Sequence, residues 1–157
     1  MQNIHAHVWD QSQHIAPATV READISRGFQ IDLTVSFDAL MDDMAPFEKV
    51  VLFGMKARLN GFWVPDEYVA QVVSRAPGKL YGFAGCDPTQ PGYMDELKHA
   101  IEELHLSGVK MGPMYAGFDP RDSRCDPVYA YCQARGLPIM MHSGTTFNSQ
   151  APLKYSR

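Results

Sequence analysis

The sequence predicts an α/β fold built on a parallel sheet, and three observations support this prediction. Short apolar runs alternate with segments of helical period, an alternation typical of βα units. The apolar runs are nearly continuous, as expected of strands that helices cover on both faces. Histidines and other reactive residues stand at the ends of these runs, where parallel α/β folds place their functional sites.

Five apolar runs have the length of a strand, and several of them follow Gly or Pro. They are NIHAHV at 3–8, EKVVLFGM at 48–55, GKLYGFAGC at 78–86, SGVKMGPM at 107–114 and GLPIMMHS at 136–143. We expect these runs to form five parallel strands of one sheet.

Helices are predicted in the segments between the apolar runs. The clearest begins at Pro91 and repeats apolar residues at spacings of three and four, with Gly108 as its expected stop. The segment DPVYAYCQARG has Asp126 as the expected N-cap and Gly136 as the stop. Three further helices are predicted at 17–29, 37–47 and 64–78.

Composition limits the class of protein. The 157 residues fit one domain, covering 1–157, and a net charge of −4 without a basic cluster argues against nucleic acid or an anionic membrane as partner. No apolar run approaches the roughly 20 residues that span a bilayer, and the N-terminus lacks the pattern of a signal peptide. Cys86, Cys125 and Cys132 are an odd number without metal-binding spacing, which favours buried, reduced thiols in a cytoplasmic protein.

Three histidines are the strongest candidates for chemistry. His5 and His7 lie two positions apart in the first run, so both point to one face of a strand and can bind one metal ion. Half-buried histidines bonded to the backbone are the alternative explanation. His142 ends the last run and would point into the same edge of the sheet. We expect one divalent ion on these three side chains, Zn²⁺ first, with Mn²⁺ or Fe²⁺ as alternatives.

The order of motifs resembles the amidohydrolase superfamily, in its amidohydrolase-related branch of aminocarboxymuconate semialdehyde decarboxylase-like enzymes. HxH in the first run is followed by GVKMGP and then by GLPIMMHSGTTF at similar separations. The resemblance implies a TIM-type (β/α) barrel with one metal ion at its mouth. By position, His5 and His7 match the first two family ligands, and His142 matches the ligand on the fifth strand. Many relatives have an acidic residue where this chain has Asn3.

The resemblance also implies residues that this chain does not contain. The family places a catalytic histidine on the sixth strand and a metal-binding aspartate on the eighth, whereas five strands are found here. No catalytic residue is therefore assigned. We expect an incomplete barrel of about five strands, the N-terminal portion of a longer product. Two alternatives are an association with itself or another chain that covers the open sheet edges, and a self-sufficient monomer.

Four more residues are candidates for binding substrate. Trp9 follows the HxH motif and could form one wall of a pocket for a flat molecule. Arg58 follows the second run and could bind a carboxylate, although a surface role is favoured. Lys110 on the fourth run could bind a substrate carboxylate or simply face solvent. Tyr115 lies just past that run.

Two functions from different classes remain open at this level. The first is a metal-dependent hydrolase or non-oxidative decarboxylase that acts on a small aromatic or unsaturated carboxylic acid. The second is a non-catalytic metal-binding or assembly module derived from half a barrel. The sequence names neither the substrate nor the oligomeric state.

Overall fold

Five parallel strands form the central sheet of the computed structural model, which describes residues 1–156. In chain order these strands are β1 (Gln2–His7), β2 (Lys49–Phe53), β5 (Leu80–Cys86), β6 (Val109–Met111) and β7 (Ile139–Met141). Each strand pairs with its neighbour in that order, and every pairing is parallel. The predicted five-stranded parallel sheet is confirmed, and β1 and β7 are its two edges.

Helices connect the strands, as the periodicity predicts. They are α1 (Gln11–His14), α2 (Pro17–Arg27), α3 (Phe37–Asp43), α4 (Asp66–Ser74), α5 (Tyr93–Glu102), α6 (Pro113–Ala116) and α7 (Asp126–Arg135). The short helices α1 and α6 were not predicted, because four residues are too few to show a helical period. A two-residue antiparallel hairpin, β3 (Lys56–Ala57) and β4 (Phe62–Trp63), also lies outside the prediction.

Two predicted helix boundaries are wrong in detail. The helix expected to stop at Gly108 ends at Glu102, and His105 has a positive φ of 57° soon afterwards. Gly108 instead approaches the ring of Phe83, where an added Cβ would lie 2.6 Å from a ring carbon. Asp126 is the first helical residue of α7 rather than its N-cap, which is Cys125.

The core lies between the sheet and the helices. Fully buried apolar side chains from the strands meet buried residues of the helices there: Val50, Leu52, Ala84 and Val109 from the sheet, and Val69, Leu97, Ala100 and Val128 from the helices. The predicted burial of Cys86, Cys125 and Cys132 is confirmed, and all three are free thiols. No helix in the described residues is both long and apolar enough to cross a membrane.

The opposite face of the sheet carries the histidines and is less covered. Ile4 on β1, which lies beside Val51 and Phe83 on this face, is apolar but 64% exposed. Exposed large apolar residues on one face of a sheet indicate a surface that the described residues leave uncovered.

Candidate functional site

His5 and His7 lie at the carboxyl end of β1, where a bulge interrupts its pairing with β2. The register shifts between Asn3 and Ala6, and the backbone N–H of His5 donates to Oδ1 of Asn3 at 2.8 Å. A bulge of this kind redirects side chains next to a functional site. The two Nε2 atoms of His5 and His7 are 3.2 Å apart, which places both imidazoles side by side at the mouth of the sheet.

Phe53, the last residue of β2, is the surface on which the histidine pair packs. Its fully buried ring lies 5.0 Å from the His5 ring and 4.7 Å from the His7 ring, both in edge-to-face geometry. Trp9 stacks on the other side of His7 with ring centroids 4.6 Å apart. Nothing in the sequence separated Phe53 from an ordinary core phenylalanine, so this contact was missed.

His142 follows β7 and approaches the same region from the far edge of the sheet. Its backbone N–H donates to the carbonyl of Met111 at 2.9 Å, which extends the β6–β7 pairing by one residue. Its ring lies 4.7 Å from that of Tyr115 in a T-shaped contact.

A small cavity of about 90 Å³ connects these side chains. Its walls are mostly aromatic or apolar: His7, Trp9, Leu33, Met55, Phe62, Tyr115, His142 and Phe147. The structure therefore brings together four residues predicted separately, His7, Trp9, Tyr115 and His142. Ligand pockets generally enclose roughly 300–1,000 Å³, so this cavity accommodates only a small group.

The indole of Trp9 is held in place by the segment that covers the cavity. Its Nε1 donates to the carbonyl oxygen of Leu33, and the backbone N–H of Val35 donates back to the Trp9 carbonyl at 2.9 Å. Gln11 accepts from the Leu33 N–H at 2.8 Å. This segment was not identified from sequence, because it has no periodic pattern.

All three histidines are held in the neutral form. Burial lowers the pKa of His7 to about 3, and the repulsion that a second positive charge on His5, Lys110 or His142 would exert acts in the same direction. Burial, followed by Lys110, also lowers the pKa of His5 and of His142. Neutral imidazoles keep the lone pairs that a metal ion requires.

Lys110 lies beneath the histidines and is almost completely buried, with 1% of its surface exposed. Its Nζ is 4.3 Å from the centre of the Phe53 ring and has no hydrogen-bond partner among the described residues. Burial lowers its pKa to about 8. The alternative of a solvent-facing lysine is wrong, because an inward-facing strand position removes the side chain from water.

The nitrogen atoms of the three histidines meet some of the requirements of a divalent metal site. Two nitrogens bound to one tetrahedral Zn²⁺ at 2.0–2.1 Å are about 3.3 Å apart, close to the 3.2 Å between the His5 and His7 nitrogens. Nδ1 of His7 and Nε2 of His142 are buried without a hydrogen-bond partner. Across residues 1–156, however, no three His, Cys, Asp or Glu side chains converge as a complete metal site. The pair is in place, and the third ligand stays a prediction.

Arg58 does not join the histidine cavity. It begins a short 3-10 turn, Arg58–Asn60, after β3, and its guanidinium stacks 3.9 Å from the centre of the Trp63 ring. Arg58 lines a different cavity, together with residues of α2 and of the turn after β3. His14 also lies outside the histidine cavity: it is buried, and its Nδ1 accepts the backbone N–H of Asp10 at 2.9 Å.

Comparisons with known proteins extend the geometric picture. The family model described as "Amidohydrolase" matches residues 3–157. Among curated proteins, the chain is 30% identical over 79 residues to a 2-amino-3-carboxymuconate-6-semialdehyde decarboxylase of Dictyostelium discoideum. That match covers 49% of this chain and 22% of the decarboxylase.

Two solved structures show where the fold belongs. An uncharacterised TIM-barrel protein from Bordetella bronchiseptica superposes with a TM-score of 0.66 at 20% identity, covering 99% of this chain and 59% of that protein. A mutant 5-carboxyvanillate decarboxylase from Novosphingobium aromaticivorans, solved with bound manganese, has a TM-score of 0.61 at 14% identity. This superposition covers 98% of this chain and 52% of the decarboxylase. The chain thus spans about half the length of the barrels it matches, and its sheet is an incomplete TIM barrel.

Proposed function

The chain belongs to the amidohydrolase family, and we propose that it forms the metal-binding and substrate-binding part of a metal-dependent hydrolase or non-oxidative decarboxylase. The substrate proposed is a small aromatic or unsaturated carboxylic acid. The observation that carries the proposal is the pair of neutral imidazoles, 3.2 Å apart, at the carboxyl end of β1 and beside an aromatic cavity.

The proposed ligands are His5, His7 and His142, and the ion is Zn²⁺, with Mn²⁺ or Fe²⁺ as alternatives. When bound, such an ion lowers the pKa of a coordinated water or polarises a substrate oxygen. The protein holds the imidazoles neutral by burial and braces the His5–His7 pair against Phe53. Because these two imidazoles are already restricted, less side-chain ordering is needed when a metal ion binds.

Lys110 is the proposed partner of the substrate carboxylate. An ammonium that is buried without an acceptor carries a desolvation cost, which an anion bound beside it would offset. Lys110 is in this situation next to the histidines. A carboxylate approaching the cavity would therefore be attracted to this side, while Trp9 and Tyr115 would contact the apolar part of the molecule.

The described residues offer few side chains that could donate or accept a proton in the reaction. Decarboxylation releases CO₂ and leaves a carbanion that must take a proton, and hydrolysis needs a base and an acid. If His7 and His142 bind the ion, Tyr115 is the only other titratable side chain on the wall of the described cavity. This favours keeping the second proposal, a non-catalytic metal-binding or assembly module.

Turnover and metal binding distinguish the two proposals. The chain would be loaded with Zn²⁺ or Mn²⁺ and incubated with a panel of hydroxybenzoates, with CO₂ release as the measurement. Metal-dependent turnover that disappears in the double variant His5→Ala/His7→Ala supports the enzyme. Metal binding without turnover supports a metal-binding module, and absence of metal binding contradicts both the enzyme and that module.

A further inference from the structure

The segment that follows β7 forms a loop beside the histidine cavity, and we call its residues 144–156 the β7 loop. Its ends lie close together, because the backbone N–H of Gly144 donates to the carbonyl of Ser156 at 3.4 Å. Within the loop, Asn148 and Ala151 are buried, and the Ala151 N–H donates to the Asn148 carbonyl at 3.1 Å. Compact surface loops whose ends meet, known as Ω-loops, frequently have a functional role.

Phe147 is the residue that the β7 loop contributes to the wall of the histidine cavity. Its side chain is partly buried, and it lines the cavity together with His7 and His142, two of the proposed metal ligands. Leu33, from the segment that holds Trp9, also lines the cavity. The β7 loop therefore closes part of the space next to the imidazoles.

The volume of the cavity limits what can enter beside Phe147. The cavity encloses about 90 Å³, whereas an apolar cavity that binds benzene has roughly 150 Å³. Only part of an aromatic ring fits while Phe147 keeps this position. Replacing its phenyl ring with a methyl group would enlarge the cavity, because the surroundings of a truncated side chain relax only partly.

Two hydrogen bonds hold the β7 loop on α2. Glu22 accepts from the backbone N–H of Ser149 at 3.0 Å and from the Ser149 hydroxyl. Hydrogen bonds to a carboxylate are stronger than those between neutral groups. Ser149 follows Phe147 closely in the chain, so its attachment to α2 restricts where the phenyl ring can lie.

From these contacts we infer that Phe147 determines which substrates the histidine cavity accepts, and that the Ser149–Glu22 hydrogen bonds hold it in the closing position. The class accepted is carboxylic acids with a single aromatic ring or a short unsaturated chain, and acids with two fused rings are excluded. The size limit rests on the proposed function, because it requires the substrate to enter this cavity. The closure of the cavity over His7 and His142 does not.

Modification of histidines with diethyl pyrocarbonate tests the closure without any substrate. The reagent acylates a neutral imidazole nitrogen, and peptide mass spectrometry gives the rate at each histidine. His105 is exposed in the same chain and serves as the internal reference. We expect Phe147→Ala to raise the rates at His7 and His142 about 10-fold relative to His105, because reaction at a covered site is limited by local opening.

Calorimetric titration with benzoate and with 2-naphthoate tests the size limit. Phe147→Ala should strengthen the binding of 2-naphthoate relative to benzoate by at least about 10-fold, the lower limit for a misfit of one methylene group in an apolar pocket. Leu153→Ala is the matched control, because Leu153 is an apolar residue of the same loop that is 54% exposed and does not line the cavity. It should change neither the modification rates nor the ratio of affinities.

Two more variants keep the result interpretable if circular dichroism shows that Phe147→Ala does not fold. Glu22→Gln weakens the attachment of the loop without changing the cavity wall and should also raise the modification rates at His7 and His142. Phe147→Leu should shift the ratio of affinities in the same direction as Phe147→Ala.

The inference is overturned if the folded Phe147 and Glu22 variants leave the rates at His7 and His142 unchanged. It is equally overturned if the Phe147 variants shift the ratio of affinities no more than Leu153→Ala does. If neither acid binds to any variant while the rates still rise, the proposed function and the size limit are both wrong, and the closure stands on the modification rates.

Discussion

Replacing His142 with alanine should weaken the binding of Zn²⁺ by at least about 100-fold. His5 and His7 alone offer two nitrogens, 3.2 Å apart, and His142 is the proposed third ligand. Loss of a residue that only supports a ligand typically costs 10- to 100-fold in metal affinity, so loss of a ligand should reach at least the upper limit. A 100-fold change corresponds to about 2.8 kcal/mol of binding free energy.

Isothermal titration calorimetry at neutral pH measures this effect directly, with a stoichiometry of about one ion per chain expected for the unmodified protein. His105→Ala is the control, because His105 is exposed on the loop after α5 and contacts none of the histidines. His142 is only partly buried, so its truncation should leave the fold intact. Equal affinities in His142→Ala and the unmodified chain would refute the three-histidine assignment and leave at most a two-histidine site.

Three further predictions concern buried ionisable side chains. Lys110→Met should raise the thermal midpoint of unfolding, because it removes an unpaired buried ammonium, and it should weaken the binding of benzoate. Lys49 is an exposed lysine over the Tyr81 ring, and the control variant Lys49→Met should have neither effect. Lys56→Met should lower the free energy of unfolding by about 3–5 kcal/mol in urea titrations, because it leaves buried Asp66 without its ammonium partner at 2.7 Å. A loss below about 1 kcal/mol would mean that this buried pair contributes as little as a surface ion pair. Burial lowers the pKa of His14 below its usual 6.5, so this histidine takes up a proton first in unfolded chains. The contribution of His14 to stability should therefore fall as the pH drops below 6.5, by at most about 1.4 kcal/mol per pH unit. This fall should be shallower in His14→Gln, and an identical pH profile would show that His14 protonates equally in both states.

Arg58 and Lys110 show how well the location of a charged side chain can be predicted from the sequence alone. Both were candidates for binding a carboxylate, because Arg58 follows the second apolar run and Lys110 lies on the fourth. Lys110 sits on the inward face of β6 and is buried beside the histidines. Arg58 follows the first strand of a hairpin that the sequence did not reveal, and it lines a different cavity. A side chain in a loop can point several ways, whereas strand alternation leaves a strand residue only two.

The sequence by itself determined the five parallel strands, their order of appearance and the helices between them, because hydrophobic periodicity reflects local geometry. It also determined that His5 and His7 share one face, since that follows from alternation along a single strand. Only the tertiary structure decided that Phe53 braces this pair, that His14 is buried and that Arg58 lines a cavity with residues of α2. Those contacts join residues tens of positions apart, and their geometry depends on how strands and loops pack rather than on any local pattern.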